Sequence, residues 1–156
     1  GAGKVIVTGT RESRLSVARK VGADKTINIK EQDVVEEIEK ETNGIMADMI
    51  IETSGSAAGA RQALSLVKKS GRIALEGMYQ EPVSIDLNKV VQWNIQMAGG
   101  KAEGEFVLDR IVPLMEDGRI VTEPILTHEF ALEDINEAMN TYVNRVGGAI
   151  KVVVKP

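Results

Sequence analysis

Four short segments place glycine beside polar or charged residues directly after apolar runs, where ligand chemistry could take place. They are Gly9-Thr10-Arg11, Thr53-Ser54-Gly55, Glu76-Gly77-Met78 and the turn Gly99-Gly100. The apolar runs before them are short, as expected of strands buried in a parallel sheet. In open α/β sheets a ligand binds outside the carboxyl ends of the strands, near the point where the strand order reverses. These segments are therefore candidate ligand contacts.

The first segment, Gly9-Thr10-Arg11, is suited to a phosphate group. A dinucleotide-binding fold that prefers NAD usually has Asp or Glu at this strand end, and this chain has Gly9. A carboxylate would repel a 2′-phosphate by about 4 kcal/mol at about 4 Å and an effective dielectric of about 20, whereas Thr10 can donate a hydrogen bond and Arg11 can donate two. The segment therefore favours NADP, with NAD as the alternative.

Each candidate also has a purely structural interpretation. On spacing alone, the favoured one is that Gly9 serves a turn and that Arg11 and Arg14 are solvated cations at a helix start. The second and third segments would let a ribose or nicotinamide approach the sheet edge closely, or they are ordinary turns. Glu52 and Glu76 could form an acid–base pair, but acids at strand ends are commonly solvated or hydrogen-bonded, and nothing in the sequence sets their separation. We predict no catalytic residue in this chain.

The composition excludes several classes of function. The 156 residues are 43% hydrophobic, enough for one globular core. The net charge of −4 arises from 19 basic and 23 acidic residues scattered along the chain, which argues against nucleic acid as a partner. No run of about 18 apolar residues and no leader segment indicates a membrane or secretion, so we expect a cytoplasmic protein.

The residues that bind zinc are almost absent. The chain has no cysteine, and its one histidine, His128, lies in a strand-like segment. One histidine cannot supply the three ligands of a catalytic zinc or complete a nucleophilic triad, so we predict no metal site. Packing or capping is the favoured role for His128.

The apolar periodicity predicts alternating strands and helices. Strands are predicted at residues 4–8, 26–29, 47–53 and 72–75, with helices at 13–21, 33–43 and 57–67 between them. Such alternation implies parallel pairing through right-handed crossovers, hence an open, mainly parallel, doubly wound α/β sheet. A strand at 94–98, helices at 105–116 and 132–143 and a strand at 150–154 follow. Pro113 is expected to kink or restart the first of these two helices.

Longer stretches of the sequence resemble one enzyme family. Four of them, in order, are similar to the carboxyl-terminal half of zinc-dependent medium-chain alcohol and polyol dehydrogenases: VIVTGTRESRLSVARKVGAD, ADMIIETSGS, SGRIALEGM and HEFALEDINEAMN…GGAIKVVVKP. The resemblance covers the whole chain. It implies a Rossmann-like fold and an oxidoreductase that transfers hydride between a nicotinamide cofactor and an alcohol or polyol, or its ketone or aldehyde.

The resemblance also implies a set of cofactor contacts. Gly9, Thr10 and Arg11 are similar to the Gly-Ser-Arg turn of NADP-preferring members, and Arg14 to a basic residue beside the adenosine ribose. The other implied contacts are Thr53 and Ser54 near the adenine side and the nicotinamide ribose, Leu75, Glu76, Gly77 and Met78 near the nicotinamide amide, and Lys151 on the pyrophosphate. An exposed strand lysine is the alternative for Lys151.

Several parts of such an enzyme lie outside the resemblance. No glycine-rich G-x-G-x-x-G loop is found, and the family's zinc ligands, proton relay and first strand would precede residue 1. We therefore expect a truncated chain that is inactive alone, with zinc only in the parent enzyme. Residues 1–100 would form an incomplete dinucleotide-binding domain. Residues 101–156 would pack toward the absent amino-terminal catalytic domain.

The missing first strand would leave a gap in the sheet between strands 4–8 and 47–53, and the last strand of the sheet would have an exposed edge. Both features imply partners. We predict that strands 4–8 and 47–53 pair directly or through another chain, and that a homodimer forms through Asn94 to Gly99. Two alternatives are a fragment of a zinc-free quinone or enoyl reductase, and a non-catalytic dimerising α/β module that binds no nucleotide.

Overall fold

The computed structural model describes residues 1–100 and 104–156, which form two compact units. One unit contains residues 1–32 and 104–156, and the other contains residues 33–100. The expected domains, 1–100 and 101–156, concern packing in a longer enzyme and stay a prediction. Residues 101–103, at the expected boundary, lie outside the described residues.

The first unit contains two parallel strand pairs. Its elements are β1 (Ile6–Gly9), α1 (Glu12–Lys20), β2 (Lys25–Asn28), α5 (Gly104–Glu116), β6 (Leu126–Ala131), α6 (Ile135–Asn144) and β7 (Lys151–Lys155). β1 pairs with β2 and β6 pairs with β7. Leu15 of α1 and Ile27 of β2 are buried, and so are Ala138 and Thr141 of α6. The apolar spacing along α1 and α6 thus turns one face of each helix inward.

The second unit contains a three-stranded parallel sheet in the order β3-β4-β5. Its elements are α2 (Val34–Glu41), β3 (Ala47–Glu52), α3 (Ala57–Leu66), β4 (Val67–Leu75), α4 (Leu87–Gln92) and β5 (Gln96–Gly99). Asp33, Ser56 and Asp86 cap the three helices by accepting from backbone amides of the first turn. The core consists of Ala63, Leu64, Val67, Ile73 and Ile95, with Trp93 packed against it.

The expected α/β fold with parallel, Rossmann-like pairing is confirmed, and three finer expectations are corrected. β1 and β3 belong to different sheets, so these strands do not pair directly, and pairing through another chain stays a prediction. α3 ends at Leu66 because Val67 is already extended (φ −82°, ψ 140°), and β4 begins there instead of at Arg72. α5 spans Pro113 without restarting there, and the Pro113 carbonyl accepts from the Asp117 amide at 3.0 Å, while the expected kink stays a prediction.

None of the helices in the described ranges combines the length and apolar character needed to cross a bilayer.

Candidate functional site

The first predicted segment connects β1 to α1. Gly9 ends β1, and Arg11 is the N-cap residue of α1, with an extended backbone (φ −135°, ψ 121°). The Arg11 carbonyl accepts from the amides of Arg14 and Leu15, both at 3.1 Å, while its side chain makes no capping hydrogen bond. A Cβ on Gly9 would lie 3.2 Å from Leu15 Cδ2, so glycine lets Leu15 pack against the strand end. The backbone is thus fixed while the guanidinium of Arg11 stays available.

Positive charge accumulates at this end of the first unit. Partial burial, then the neighbouring charges of Arg14 and Arg145, lower the pKa of Arg11. Within residues 1–100 and 104–156, no carboxylate forms an ion pair with any of these three arginines. Three like charges without a counter-charge make the local electrostatic potential positive. An anionic ligand bound there would be stabilised by this potential.

The second and third predicted segments follow β3 and β4 and are joined by Glu52. This residue ends β3 and is only 6% exposed. Its Oε1 accepts from the amide (2.8 Å) and the hydroxyl of Ser54. Its Oε2 accepts from the amide of Gly55 (3.2 Å) and the hydroxyl of Tyr79 (2.6 Å). The carboxylate therefore ties the loop after β3 to the loop after β4.

The same hydrogen bonds set the protonation states of this pair. Burial acts to raise the pKa of Glu52, but the hydrogen bonds from Ser54, Tyr79 and the Gly55 amide outweigh it, and the net pKa is lowered. Burial, followed by the hydrogen bond to Glu52 and its negative charge, raises the pKa of Tyr79 to about 12. Glu52 is thus a charged acceptor and Tyr79 a neutral donor at neutral pH. This arrangement positions loops and is poorly matched to proton transfer.

The Tyr79 hydroxyl is expected to titrate with a pKa of about 12. In a Tyr142→Phe background Tyr79 is the only tyrosine, so ultraviolet absorbance follows it alone. Glu52→Gln removes the negative acceptor and should move the pKa toward 10.0. Because the folded pKa is raised, the contribution of Tyr79 to stability is complete below about pH 10 and is lost as the pH rises through about 12. A midpoint near 10.0 while circular dichroism still shows a folded chain would contradict the Glu52–Tyr79 bond.

Backbone contact between the two loops explains the glycines at positions 55 and 77. The amides of Glu76 and Gly77 donate to the Glu52 carbonyl at 2.8 and 3.0 Å. A Cβ on Gly77 would lie 2.6 Å from Gly55 Cα, and a Cβ on Gly55 (φ 63°) would lie 2.9 Å from the carbonyl carbon of Met78. The space beside these glycines is therefore filled by the chain's own backbone. The close approach of the two loops therefore supports the interpretation of Gly55 and Gly77 as structural turn residues.

With this geometry established, the comparisons with known proteins decide the family. Residues 1–105 match the family model described as zinc-binding dehydrogenase. This chain belongs to the zinc-binding dehydrogenase family. The matched range contains every predicted cofactor contact except Lys151.

Individual proteins of known name match the chain over almost its full length. An alcohol dehydrogenase from Cupriavidus necator is 31% identical over 162 residues, covering 100% of this chain and 43% of its own. The alcohol dehydrogenase TADH from Thermus sp. ATN1 matches with a TM-score of 0.89 at 27% identity, covering 99% of this chain and 45% of that one. A protein from Sinorhizobium meliloti 1021, solved bound to NADP, matches with a TM-score of 0.88 at 26% identity, covering 100% of this chain and 46% of that one. The chain thus spans less than half the length of these proteins.

Within this chain of the zinc-binding dehydrogenase family, the predicted contacts fall into two groups. The first unit holds Gly9, Thr10, Arg11, Arg14 and Lys151, and the second holds Thr53, Ser54, Leu75, Glu76, Gly77 and Met78. Lys151 begins β7, opposite Leu126, and is exposed. Glu76 is also exposed and does not share the hydrogen-bond network of the Glu52 carboxylate, so the two carboxyl groups form no pair there.

Sequence reasoning missed two residues of these sites. Arg145, near the other end of the chain, adds its charge to the environment of Arg11, and the only local signal is the Gly147-Gly148 pair after it, which marks a helix end. Tyr79 follows the third predicted segment directly, but nothing in the sequence pairs it with Glu52. His128 contacts Thr127 through Nδ1 at 3.0 Å and packs against Gly147.

Proposed function

We propose that this chain is the NADP-binding part of an oxidoreductase that transfers hydride between a nicotinamide cofactor and an alcohol or polyol, or its ketone or aldehyde. One observation carries the proposal: the β1–α1 turn presents Thr10 and Arg11, beside Arg14, where an NAD-preferring fold has a carboxylate. The relative from Sinorhizobium meliloti was solved bound to NADP, which supports the same choice of cofactor.

The donor chemistry at this turn fits a phosphate monoester. Thr10 is exposed and offers one hydroxyl, while the guanidinium of Arg11 presents a planar fork of donors that matches phosphate oxygens. The pKa of Arg11 is lowered by burial and by its arginine neighbours, and a dianion would restore the balance of charge. An NAD ribose, which lacks the phosphate, would gain much less from these groups.

The second unit would hold the loops that receive the rest of the cofactor. Glu52 holds Ser54 and the backbone amides of Glu76 and Gly77, so these groups, proposed to face the ribose and nicotinamide, are positioned before the cofactor binds. Lys151 would add a positive charge toward the pyrophosphate. The bound cofactor supplies the hydride acceptor or donor, and these residues orient it.

Zinc and substrate contacts would come from outside this chain. No group of three or more potential metal ligands occurs among residues 1–100 and 104–156, and the chain has no cysteine. Relatives named alcohol dehydrogenase and sorbitol dehydrogenase support an alcohol or a polyol as the class of substrate. We expect the chain alone to bind cofactor without oxidising an alcohol, in the cytoplasm of its cell.

A homodimer through Asn94 to Gly99 is part of this proposal. β5 pairs only with β4 among the described strands, so its other edge has unpaired backbone donors and acceptors. Pairing of two β5 strands across a two-fold axis would satisfy them and cover the edge.

Replacing Arg11 should remove the preference for NADP. The unmodified chain is expected to bind NADPH more tightly than NADH, and Arg11→Ala should weaken NADPH binding about 10- to 100-fold because a charged hydrogen bond contributes about 1.5–3 kcal/mol. NADH binding should change little. Titration calorimetry of both nucleotides measures this, with Arg61→Ala as the control, since Arg61 is exposed on α3.

Two results would contradict the proposal. If neither nucleotide binds, the chain behaves as the non-catalytic dimerising module instead. If NADH binds as tightly as NADPH, the arginines at the β1–α1 turn are solvated cations and the cofactor is NAD.

A further inference from the structure

The turn after α6 packs against the beginning of α1. Arg145 follows α6 as its C-cap residue in the left-handed conformation (φ 55°), and the Gly148 amide donates to its carbonyl at 3.1 Å, which closes a four-residue turn. A Cβ built on Gly148 would lie 3.5 Å from the Cβ of Ser13. Ser13 stands between Arg11 and Arg14 in the first turn of α1. The carboxyl-terminal turn therefore meets the chain at the predicted phosphate contact.

The turn is confined from a second direction by β6. A Cβ built on Gly147 would lie 3.1 Å from Nε2 of His128, which is tighter than an ordinary contact, and Gly147 has a positive φ of 60°. The positive φ favours glycine there, and a Cβ would require the His128 ring to shift by a few tenths of an ångström. The ends of a hydrogen-bonded turn lie within about 7 Å of each other, so this packing keeps Arg145 near Ser13.

The charge of Arg145 acts on Arg11. Burial has the largest effect in lowering the pKa of Arg11, and Arg14 and Arg145 lower it further. The only carboxylate in the first turn of α1, Glu12, pairs with Arg19 instead. In a chain with net charge −4, three neighbouring arginines without an acidic partner among the described residues form an unusual local excess of positive charge.

We propose that Arg145 is a third ligand of the adenosine 2′-phosphate and so a determinant of the preference for NADP over NAD. This inference rests on the proposed function and extends its site to a segment more than 130 residues away along the chain. A 2′-phosphate carries about −1.5 to −2 charges and several acceptor oxygens, enough for more than one guanidinium. Arg145 has a left-handed backbone conformation that glycine adopts more easily. The presence of arginine there is therefore explained by a role of its side chain and not by its backbone preference.

The test compares two nucleotides that differ only in the 2′-phosphate. Calorimetry with 2′,5′-ADP and 5′-AMP isolates the phosphate contact from the nicotinamide half. Arg145→Ala should weaken 2′,5′-ADP binding about tenfold and leave 5′-AMP binding unchanged. Arg145→Gly relieves the left-handed backbone and should weaken 2′,5′-ADP equally, which separates loss of the guanidinium from damage to the turn. Arg145→Lys should restore part of the affinity.

Arg119→Ala serves as the matched control, because Arg119 is an exposed arginine of the same unit. If the unmodified chain shows the 2′-phosphate dependence and Arg11→Ala loses it, but Arg145→Ala and Arg145→Gly bind like the unmodified chain, this inference is overturned and the proposed function stands. If the unmodified chain does not distinguish the two nucleotides, both fail. If inorganic phosphate competes as tightly as 2′,5′-ADP binds, the arginines form a general anion site and the inference also fails.

Discussion

Gly77→Ala is expected to destabilise the second unit by at least about 3 kcal/mol. A Cβ at this position would lie 2.6 Å from Gly55 Cα and 2.9 Å from Oε2 of Glu52, and it would also overlap the Gly55 nitrogen. Neither backbone nor a carboxylate with four hydrogen bonds can move aside without losing contacts. The loops after β3 and β4 would separate, and the hydrogen bonds from Glu76 and Gly77 to the Glu52 carbonyl would be strained or broken.

Urea unfolding followed by Trp93 fluorescence measures this effect, because Trp93 packs against the core of the same unit. Gly99→Ala is the matched control. Gly99 ends the next strand, β5, and a Cβ there would meet only the Leu75 carbonyl oxygen, at 3.8 Å, so its stability should change by less than about 1 kcal/mol. Equal unfolding midpoints for the two variants would show that the close approach of Gly77 to Gly55 does not hold the loops together.

The alternation of strands and helices could be predicted because it depends on local signals. Short β-branched runs, capping residues such as Asp33 and Ser56, and glycine stops fix most elements to within a few residues. The wrongly predicted boundaries have local physical causes that the spacing of apolar residues does not reveal. Val67 looks like the end of an apolar helix but adopts extended backbone angles, because it pairs with Ala47 across the sheet.

The candidate site could be predicted only where its residues are close in sequence. Gly9, Thr10 and Arg11 form one turn, so their chemistry is visible as a motif. Arg145 comes near them through the fold of the first unit, a contact of long sequence separation that no spacing encodes. Likewise the sequence predicts a cofactor contact or an ordinary turn at Gly77, whereas the structure shows its proximity to Gly55.

Glu52→Gln is the second variant with a large expected effect, a loss of about 2–4 kcal/mol in the free energy of unfolding of the second unit. The substitution turns one acceptor oxygen into an NH₂ group, and each oxygen faces a backbone amide as well as a hydroxyl. The hydroxyls of Ser54 and Tyr79 can rotate to accept a hydrogen bond, but an amide cannot. Either orientation of the Gln side chain therefore leaves the amide of Ser54 or Gly55 facing another donor, which costs about 1–3 kcal/mol, and the loss of charge weakens the other bonds.

The pH dependence of this loss has a definite sign. The folded pKa of Glu52 is lowered, since the hydrogen bonds from Ser54, Tyr79 and the Gly55 amide outweigh the opposing effect of burial. The carboxylate therefore contributes its full stabilisation above the unfolded pKa of about 4.3, and this is lost as the pH falls through the folded pKa. Urea unfolding between pH 3 and pH 7 should show the unmodified chain losing its advantage over Glu52→Gln as the solution becomes acidic. Tyr79→Phe removes only one of the four donors, so it should keep most of this pH dependence. A constant difference in stability between Glu52→Gln and the unmodified chain over this range would mean that the charge of Glu52 does not hold the two loops, and that the side chain acts through its shape alone.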